Sequence, residues 1–213
     1  MKLQSWAAAL AVSFAAVASL SAQVDMAKVA KLRNPATLKE QAPAVFKANL
    51  DTSKGLIVVE VHRDWAPNGA DRFYNLVKNG FFDETRFYRV IPGFMVQWGM
   101  NGNPAVTKAW DGATIQDDPV KQSNLPGFMS FAATSAPNSR TTNLFINYGD
   151  NKRLDQSRFA PFGKVITGMD VAQKLNPEYR EQPQQDQIRA RGNAYLTQSF
   201  PKLDYIKTAT IEP

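Results

Sequence analysis

The chain has 213 residues, 44% of them hydrophobic, which is enough for one sizeable globular domain and too apolar for a disordered protein. It contains no cysteine and a single histidine, His62, which excludes a disulfide framework, a thiolate metal site and most histidine-based metal clusters. The formal charge of +6 comes from basic residues spread singly along the chain, and this pattern does not favour nucleic-acid binding.

Residues 1–22 have the pattern of a secretory signal peptide. Lys2 supplies a positive charge, an apolar run extends from Trp6 to Leu20, and small residues follow up to Ala22, near which we expect cleavage. The apolar run has about 15 residues, fewer than the ~20 needed to span a bilayer, so a retained membrane anchor is the weaker alternative. The sequence therefore predicts a periplasmic or secreted protein without stable membrane insertion after cleavage.

Residues 23–42 have the mixed charge and the central Asn-Pro break of a leader or linker, so we expect one domain over residues 43–213. Its first elements are two strands, over 45–51 and 55–63, and a helix over 67–80. Short apolar runs separated by turns follow at 86–91, 94–99, 127–133, 143–147 and 159–166. A second helix begins at Gly168. Many short strands with two helices favour a closed antiparallel barrel capped by those helices, because closure removes exposed strand edges.

The C-terminal region predicts an extra loop and helix. Residues 176–187 are polar and contain two prolines, which indicates an exposed loop. Residues 186–200 have the spacing of an amphipathic helix, with Ile188, Tyr195 and Leu196 on one face. Residues 203–213 then predict a last strand that returns to the body of the domain.

Two short motifs are excluded as catalytic sites. The His-Arg-Asp sequence that begins at His62 resembles the protein-kinase catalytic loop, but Asn68 follows Asp64 by four residues instead of five. A serine hydrolase would need His62 as its base, and no Gly-x-Ser-x-Gly motif accompanies it. We therefore expect His62 at a strand end, and Asp117 and Asp118 as caps in a polar loop.

Arg89 and Gln97 interrupt apolar runs, although burying a guanidinium is costly unless it is paired. The sequence around them, FYRVIPGFMVQWG, resembles the signature of the cyclophilin family. Two later stretches resemble the family's second and third motifs, GFMSFAATSAPNSRTTNLFIN and RLDQSRFAPFGKVITGMDVAQKL. The resemblance covers nearly the whole chain from about residue 45 and implies a mainly β, closed, eight-stranded cyclophilin-like barrel.

The resemblance also implies peptidyl-prolyl cis-trans isomerase activity. The barrier to rotation about an X-Pro bond, ~18–20 kcal/mol, is the loss of amide resonance when the bond is twisted. In the twisted state the proline nitrogen recovers its lone pair and accepts a hydrogen bond, so a donor placed there stabilises the transition state. By resemblance Arg89 is that donor, and arginine suits the role because it stays charged.

The remaining site residues are also implied by the resemblance. Phe94 and Gln97 complete the catalytic set, with Gln97 bonding the substrate backbone and helping to fix Arg89. Strand parity places Met95 and Gln97 on one face. The expected substrate-binding residues are Met95, Ala132, Ala133, Thr134, Asn143, Phe145, Leu154 and Phe159. For the hydrophobic pocket residues Phe94, Met95, Phe145 and Leu154, a place in the barrel core is the alternative.

The resemblance implies no metal, nucleotide or covalent intermediate. Its expected partners are proline-containing peptides and unfolded exported proteins, and we expect a monomer. Arg153 and Phe159 stand where many members carry tryptophan and histidine, and Asn143 stands where glutamine is usual, so we expect activity with weak cyclosporin binding. Two alternatives stay open: a peptide-binding chaperone without significant turnover, and a scaffold that docks partners through residues 176–203.

Overall fold

The computed structural model describes residues 26–212, so the predicted signal peptide lies outside the described residues. Residues 26–32 are helical (α1), and a 3-10 turn covers Pro35–Thr37. Leu32, Leu38 and Ala42 are buried in the main core. The described part of the predicted linker therefore packs against the domain, which its mixed charge had not led us to expect.

One eight-stranded antiparallel sheet forms the body of the domain. Its strands are β1 (Val45–Thr52), β2 (Gly55–His62), β3 (Arg89–Ile91), β4 (Met95–Trp98), β5 (Phe128–Phe131), β6 (Leu144–Asn147), β7 (Pro161–Thr167) and β8 (Ile206–Ile211). The further helices are α2 (Pro67–Lys78), α3 (Pro104–Trp110), α4 (Met169–Gln173) and α5 (Gln185–Ser199), with a 3-10 helix over Lys152–Ser157. The predicted mainly β domain is confirmed.

The strand order is β3-β4-β6-β5-β7-β2-β1-β8, so β3 and β8 stand at the edges of a curled half-barrel. The predicted closure of the barrel is not confirmed, because these two strands do not pair with each other. The residues that precede these two strands are joined by a hydrogen bond: the backbone N–H of Phe87, before β3, donates to the carbonyl of Asp204, before β8, at 2.9 Å. The edge of β3 is covered instead by the C-terminal region, where the carbonyl of Arg180 accepts from the N–H of Val90 at 3.3 Å.

Helix α2 packs one side against the sheet, at β8, β7 and β2, as its apolar stripe predicts. Ala70, Phe73, Leu76 and Val77 are all buried in the main core. Pro67 occupies the first helical turn, where its missing N–H leaves no hydrogen bond unmade. The face of α2 that the periodicity assigns to the core is therefore the buried face.

Helix α3 was not predicted, although its sequence carries a start signal. The Asn103 side chain accepts from the N–H of Ala105, and Pro104 stands at the first helical position. Helix α4 begins after Gly168, as expected. None of the helices in the described part of the chain is long and apolar enough to cross a membrane.

Residues 176–203, here called the insert, are fixed by a second, smaller hydrophobic cluster. Its buried members are Tyr88, Met100, Ile188, Tyr195, Leu196 and Leu203. The predicted helix is present but kinked, because Gly192 has a φ of 56° and lies against the carbonyl oxygen of Gly102. A side chain at that position would meet this oxygen, so the close approach requires glycine.

Candidate active site

Strand register places the central site residues side by side. In the β3–β4 pair Arg89 lies opposite Gln97, and in the β4–β6 pair Gln97 lies opposite Phe145. Met95 precedes Gln97 by two residues and shares its face. The alternate residues of these strands belong to the main core: Val90, Val96 and Ile146. Arg89, Met95, Gln97 and Phe145 therefore lie on the face of the sheet that points away from that core.

This face forms the floor of a groove with a volume of ≈ 570 Å³. All eleven predicted site residues line it: Arg89, Phe94, Met95, Gln97, Ala132, Ala133, Thr134, Asn143, Phe145, Leu154 and Phe159. Six further residues line it that were not predicted: Asp111, Thr114, Ser139, Thr141, Gln185 and Arg189. The structure thus brings the whole predicted set together in one place.

The Arg89 guanidinium is held by partners from two different parts of the chain. Its Nη1 donates to Gln97 Oε1 at 3.1 Å, and its Nε donates to Glu181 Oε1 at 2.7 Å. Nη2 contacts the same oxygen of Glu181. The guanidinium carbon lies 5.9 Å from the centre of the Phe94 ring. Because an arginine has five N–H donors, one on each terminal nitrogen remains for a ligand.

The groove beside Arg89 is apolar. Met95 and Phe145 are almost fully buried, and the rings of Phe145 and Phe159 meet edge to face with their centres 5.7 Å apart. Leu154 and Phe94 complete this surface. Phe94, Met95, Phe145 and Leu154 all line the groove and none of them belongs to the main core cluster, which argues against the core alternative. An apolar surface of this kind accommodates a proline ring.

A chain of buried asparagines supports the apolar surface from behind. The Asn151 Nδ2 donates to the Phe94 carbonyl and to Asn147 Oδ1, both at 2.8 Å. Asn147 Nδ2 reaches Asn124 Oδ1 at 3.2 Å, and Asn124 Nδ2 donates to the Phe159 carbonyl at 2.8 Å. These bonds connect the two ends of the pocket and hold it in one shape. They were not predicted from the sequence.

Another part of the groove wall comes from residues between Ala132 and Asn143, whose backbone is held by hydrogen bonds within the chain. The N–H of Ala132 donates to the carbonyl of Asn143 at 2.9 Å, and Thr134 N–H donates to Ser139 Oγ at 3.0 Å. The Asn143 Oδ1 accepts from the hydroxyl of Tyr88 at 3.1 Å. Burial raises the pKa of Tyr88 well above its ordinary value, so this hydroxyl remains a donor that orients Asn143.

The insert supplies a side wall that was not predicted. Gln185 and Arg189 of α5 line the groove, and Arg189 pairs with Asp111 at 3.4 Å and with Asp186 at 3.1 Å. Glu181 comes from the same segment. Glu181 and Gln185 fall where the sequence predicts an exposed loop, and Arg189 falls in the predicted helix but not on its apolar face, so nothing in the sequence marks them as groove residues.

Asp118 and His62, which were not expected to be catalytic, have structural roles. Asp118 accepts from the N–H groups of Asn68 and Gly69 at the start of α2 and pairs with the buried Arg140 at 2.9 Å. The predicted cap is confirmed, and His62 ends β2 as expected. Within residues 26–212, no group of three or more histidine or acidic side chains is placed to hold a metal ion.

Comparison with known proteins agrees with this geometry. The family model described as "Cyclophilin type peptidyl-prolyl cis-trans isomerase/CLD" matches residues 47–192. A peptidyl-prolyl cis-trans isomerase of Acinetobacter baylyi is 37% identical over 142 residues, 65% of this chain and 76% of that protein. Peptidyl-prolyl cis-trans isomerase B of Escherichia coli is 32% identical over 168 residues, 73% of this chain and 92% of that protein.

The crystal structure of a cyclophilin from Hirschia baltica superposes with a TM-score of 0.60 at 18% sequence identity, covering 80% of this chain and 75% of that one. At that identity the likeness concerns the fold alone, which is that of the cyclophilins. Since the family model covers more than half of the sequence, the chain belongs to the cyclophilin type peptidyl-prolyl cis-trans isomerase family. Its members are enzymes of the isomerase class.

Proposed function

We propose that this chain isomerises X-Pro bonds by donating a hydrogen bond from Arg89 to the proline nitrogen in the twisted transition state. The observation that carries the proposal is the position of the guanidinium. It lies at the edge of an apolar pocket, is fixed by Gln97, and keeps two N–H donors for a ligand. Phe94 lies below it at the distance of a cation–π contact.

Catalysis requires a donor that bonds the proline nitrogen in the transition state and not in the planar ground states. In both planar isomers the nitrogen lone pair is delocalised into the amide, so it attracts a donor only when the bond is twisted. A hydrogen bond made only there lowers the barrier without tightening either ground state. One bond from a charged donor contributes about 2–3 kcal/mol, and no proton has to be transferred.

The remaining groups hold the substrate while one bond turns. The proline ring lies against Phe94, Met95 and Phe145, and the backbone of residues 132–134 orients the preceding peptide. Gln97 has two roles, because its oxygen accepts from Arg89 while its amide nitrogen stays available to a substrate carbonyl. Fixing the ring and the backbone on either side confines the motion to the X-Pro bond.

We further propose that the protein acts as a monomer on exported proteins whose folding waits for proline isomerisation, in the periplasm or outside the cell. Uncatalysed isomerisation takes tens of seconds, slow enough to limit folding. The support for export is the pattern of residues 1–22. Intact-mass measurement on protein from the extracytoplasmic fraction is expected to give a chain that begins near residue 23. Full-length protein in the membrane fraction would contradict export by cleavage.

Activity is tested by exchange spectroscopy on a proline peptide with purified residues 23–213. The expected result is faster cis-trans exchange at enzyme concentrations far below that of the peptide. A peptide that shifts the resonances of the groove but exchanges no faster would support the peptide-binding chaperone instead. Acceleration of the slow refolding phase of a proline-limited protein checks the same activity on a folding substrate.

A further inference from the structure

Two guanidinium groups contact the Phe94 ring, and their electrostatic surroundings differ. That of Arg89 lies 5.9 Å from the ring centre and that of Arg153 lies 5.0 Å from it. Arg89 is paired with Glu181. Within residues 26–212 no carboxylate forms an ion pair with Arg153. The charge of Arg89 at this ring is therefore compensated and the charge of Arg153 is not.

This lack of a partner distinguishes Arg153 from its cationic neighbours. The groove-lining Arg189 lies beside Asp111 at 3.4 Å, and the two basic neighbours of Arg153 in the chain, Lys152 and Arg158, lie beside Asp150 at 3.3 Å and Asp117 at 3.8 Å. Arg153 thus supplies the uncompensated positive charge at this rim. An unpaired guanidinium offers a planar fork that matches a carboxylate.

Arg153 is also close enough to a bound peptide to act on it. It is exposed, and it directly precedes Leu154, which lines the groove. Stacking on the Phe94 ring restricts its position, so less rotamer freedom is lost when a ligand binds. Successive residues of an extended peptide are about 3.3–3.6 Å apart, so with a proline on Phe94 an adjacent side chain extends toward this rim.

We propose that Arg153 determines specificity by favouring X-Pro substrates that carry aspartate or glutamate next to the proline. This inference rests on the proposed function. A carboxylate on the flanking residue pairs with the free guanidinium, whereas a lysine there is repelled by it. Arg89 contributes less to this selection, because Glu181 already neutralises its charge.

The test uses peptides that differ only in one residue beside the proline, with glutamate, glutamine or lysine placed before or after it. At one of the two positions, kcat/KM is expected to be about threefold higher for the glutamate peptide than for the glutamine peptide, as for an exposed ion pair. The lysine peptide is expected to have a kcat/KM about threefold lower than the glutamine peptide. High salt is expected to compress this range, since it screens exposed charges.

Variants assign the preference to one side chain. Arg153→Gln is expected to remove it, Arg153→Lys to retain part of it and Arg153→Glu to reverse it. Lys152→Gln is the matched control, because it removes the same charge from the same 3-10 helix at a side chain already paired with Asp150. The control is expected to keep the preference.

Equal kcat/KM for the three peptides, or a preference that survives Arg153→Gln, would overturn the inference. The glutamine peptide separates this failure from failure of the proposed function. If that peptide is not isomerised, the chain is not acting as an isomerase on it. If it is isomerised as fast as the charged peptides, only the role of Arg153 is wrong.

Discussion

The apolar pocket and the insert both contact Arg89 but are built in different ways. The pocket lies on β3, β4 and β6, where backbone pairing fixes which residues are neighbours. The insert is held by a small apolar cluster and by the close approach of Gly192 to Gly102. Arg89 receives Gln97 from the first region and Glu181 from the second.

The sheet and the insert differ in how accurately they hold a side chain. A sheet register cannot drift without moving every side chain to the other face, so a reacting group placed there is held accurately. A segment held by a few contacts can change in sequence while the sheet stays intact. We therefore expect changes at the sheet residues of the pocket to act strongly on turnover, and changes in the insert to act on local stability and only weakly on turnover.

The largest effect is expected from the pocket. Arg89→Ala and Arg89→Lys remove a hydrogen bond made in the transition state, so kcat/KM should fall roughly 30- to 150-fold, or about 2–3 kcal/mol. The exposed Arg33→Ala serves as the control, and unfolding curves should show that all three variants fold. Near wild-type turnover in Arg89→Ala would refute the assigned mechanism. It would also contradict the expectation that the sheet residues of the pocket have the largest effect on turnover.

The next prediction addresses the insert by itself. Gly192→Ala places a Cβ against the Gly102 carbonyl at a backbone conformation unsuited to alanine, at a cost of about 1–3 kcal/mol. Hydrogen exchange is expected to become faster across residues 176–203 while the β-sheet amides keep their protection. At Gly112 an added Cβ meets no atom within 4 Å, so Gly112→Ala is the matched control. A uniform loss of protection would show that insert and sheet are one cooperative unit.

The rim of the pocket gives a smaller effect. Cyclosporin is expected to inhibit weakly, since Arg153 must lose hydration to accept an apolar ligand. Arg153→Trp is expected to improve its affinity by roughly a factor of ten, the equivalent of about 1.4 kcal/mol. Turnover of an uncharged proline peptide by the same variant serves as the reference. Tight inhibition of the unmodified protein would show that this position matters little to the ligand.

The smallest effect is expected where the two regions touch. Glu181→Gln weakens an exposed ion pair and frees one edge of the Arg89 guanidinium, so kcat/KM should fall about threefold, as exposed pairs allow. The Arg89 Nε–H resonance should shift with it, which a distant structural change would not cause. Glu178→Gln alters another acidic residue of the insert, one paired with Lys202, and is the control. Unchanged turnover together with an unchanged resonance would mean that Glu181 does not position Arg89.

Much of this fold was predictable because its signals are local. The apolar stripe of α2 and the alternation in β4 follow from helix and strand periods, and both proved correct. Helix α3 had a visible start signal in Asn103 and Pro104 and was overlooked. The packing of α1 could not be predicted, because a few apolar residues in a charged segment do not show whether the domain has a surface that they pack against.

The candidate site likewise contains residues that could be predicted from the sequence and residues that could not. The three motifs predicted eleven groove residues, since residues on paired strands and their adjoining turns keep fixed relative positions once the fold is given. Their roles stay predictions until they are measured. Glu181, Gln185 and Arg189 could not be predicted, because their place beside the groove depends on how the insert packs against the rest of the domain.

The sequence by itself determined the strand and helix periods, the shared face of Met95 and Gln97, and the resemblance to one family. Only the tertiary structure decided that the sheet is an open half-barrel and that Arg89 is paired with Glu181, 92 residues away. The physical reason is range. Periodicity and turn chemistry act over a few residues, whereas contacts between distant segments follow from how the whole chain packs, and a short stretch of sequence does not specify that.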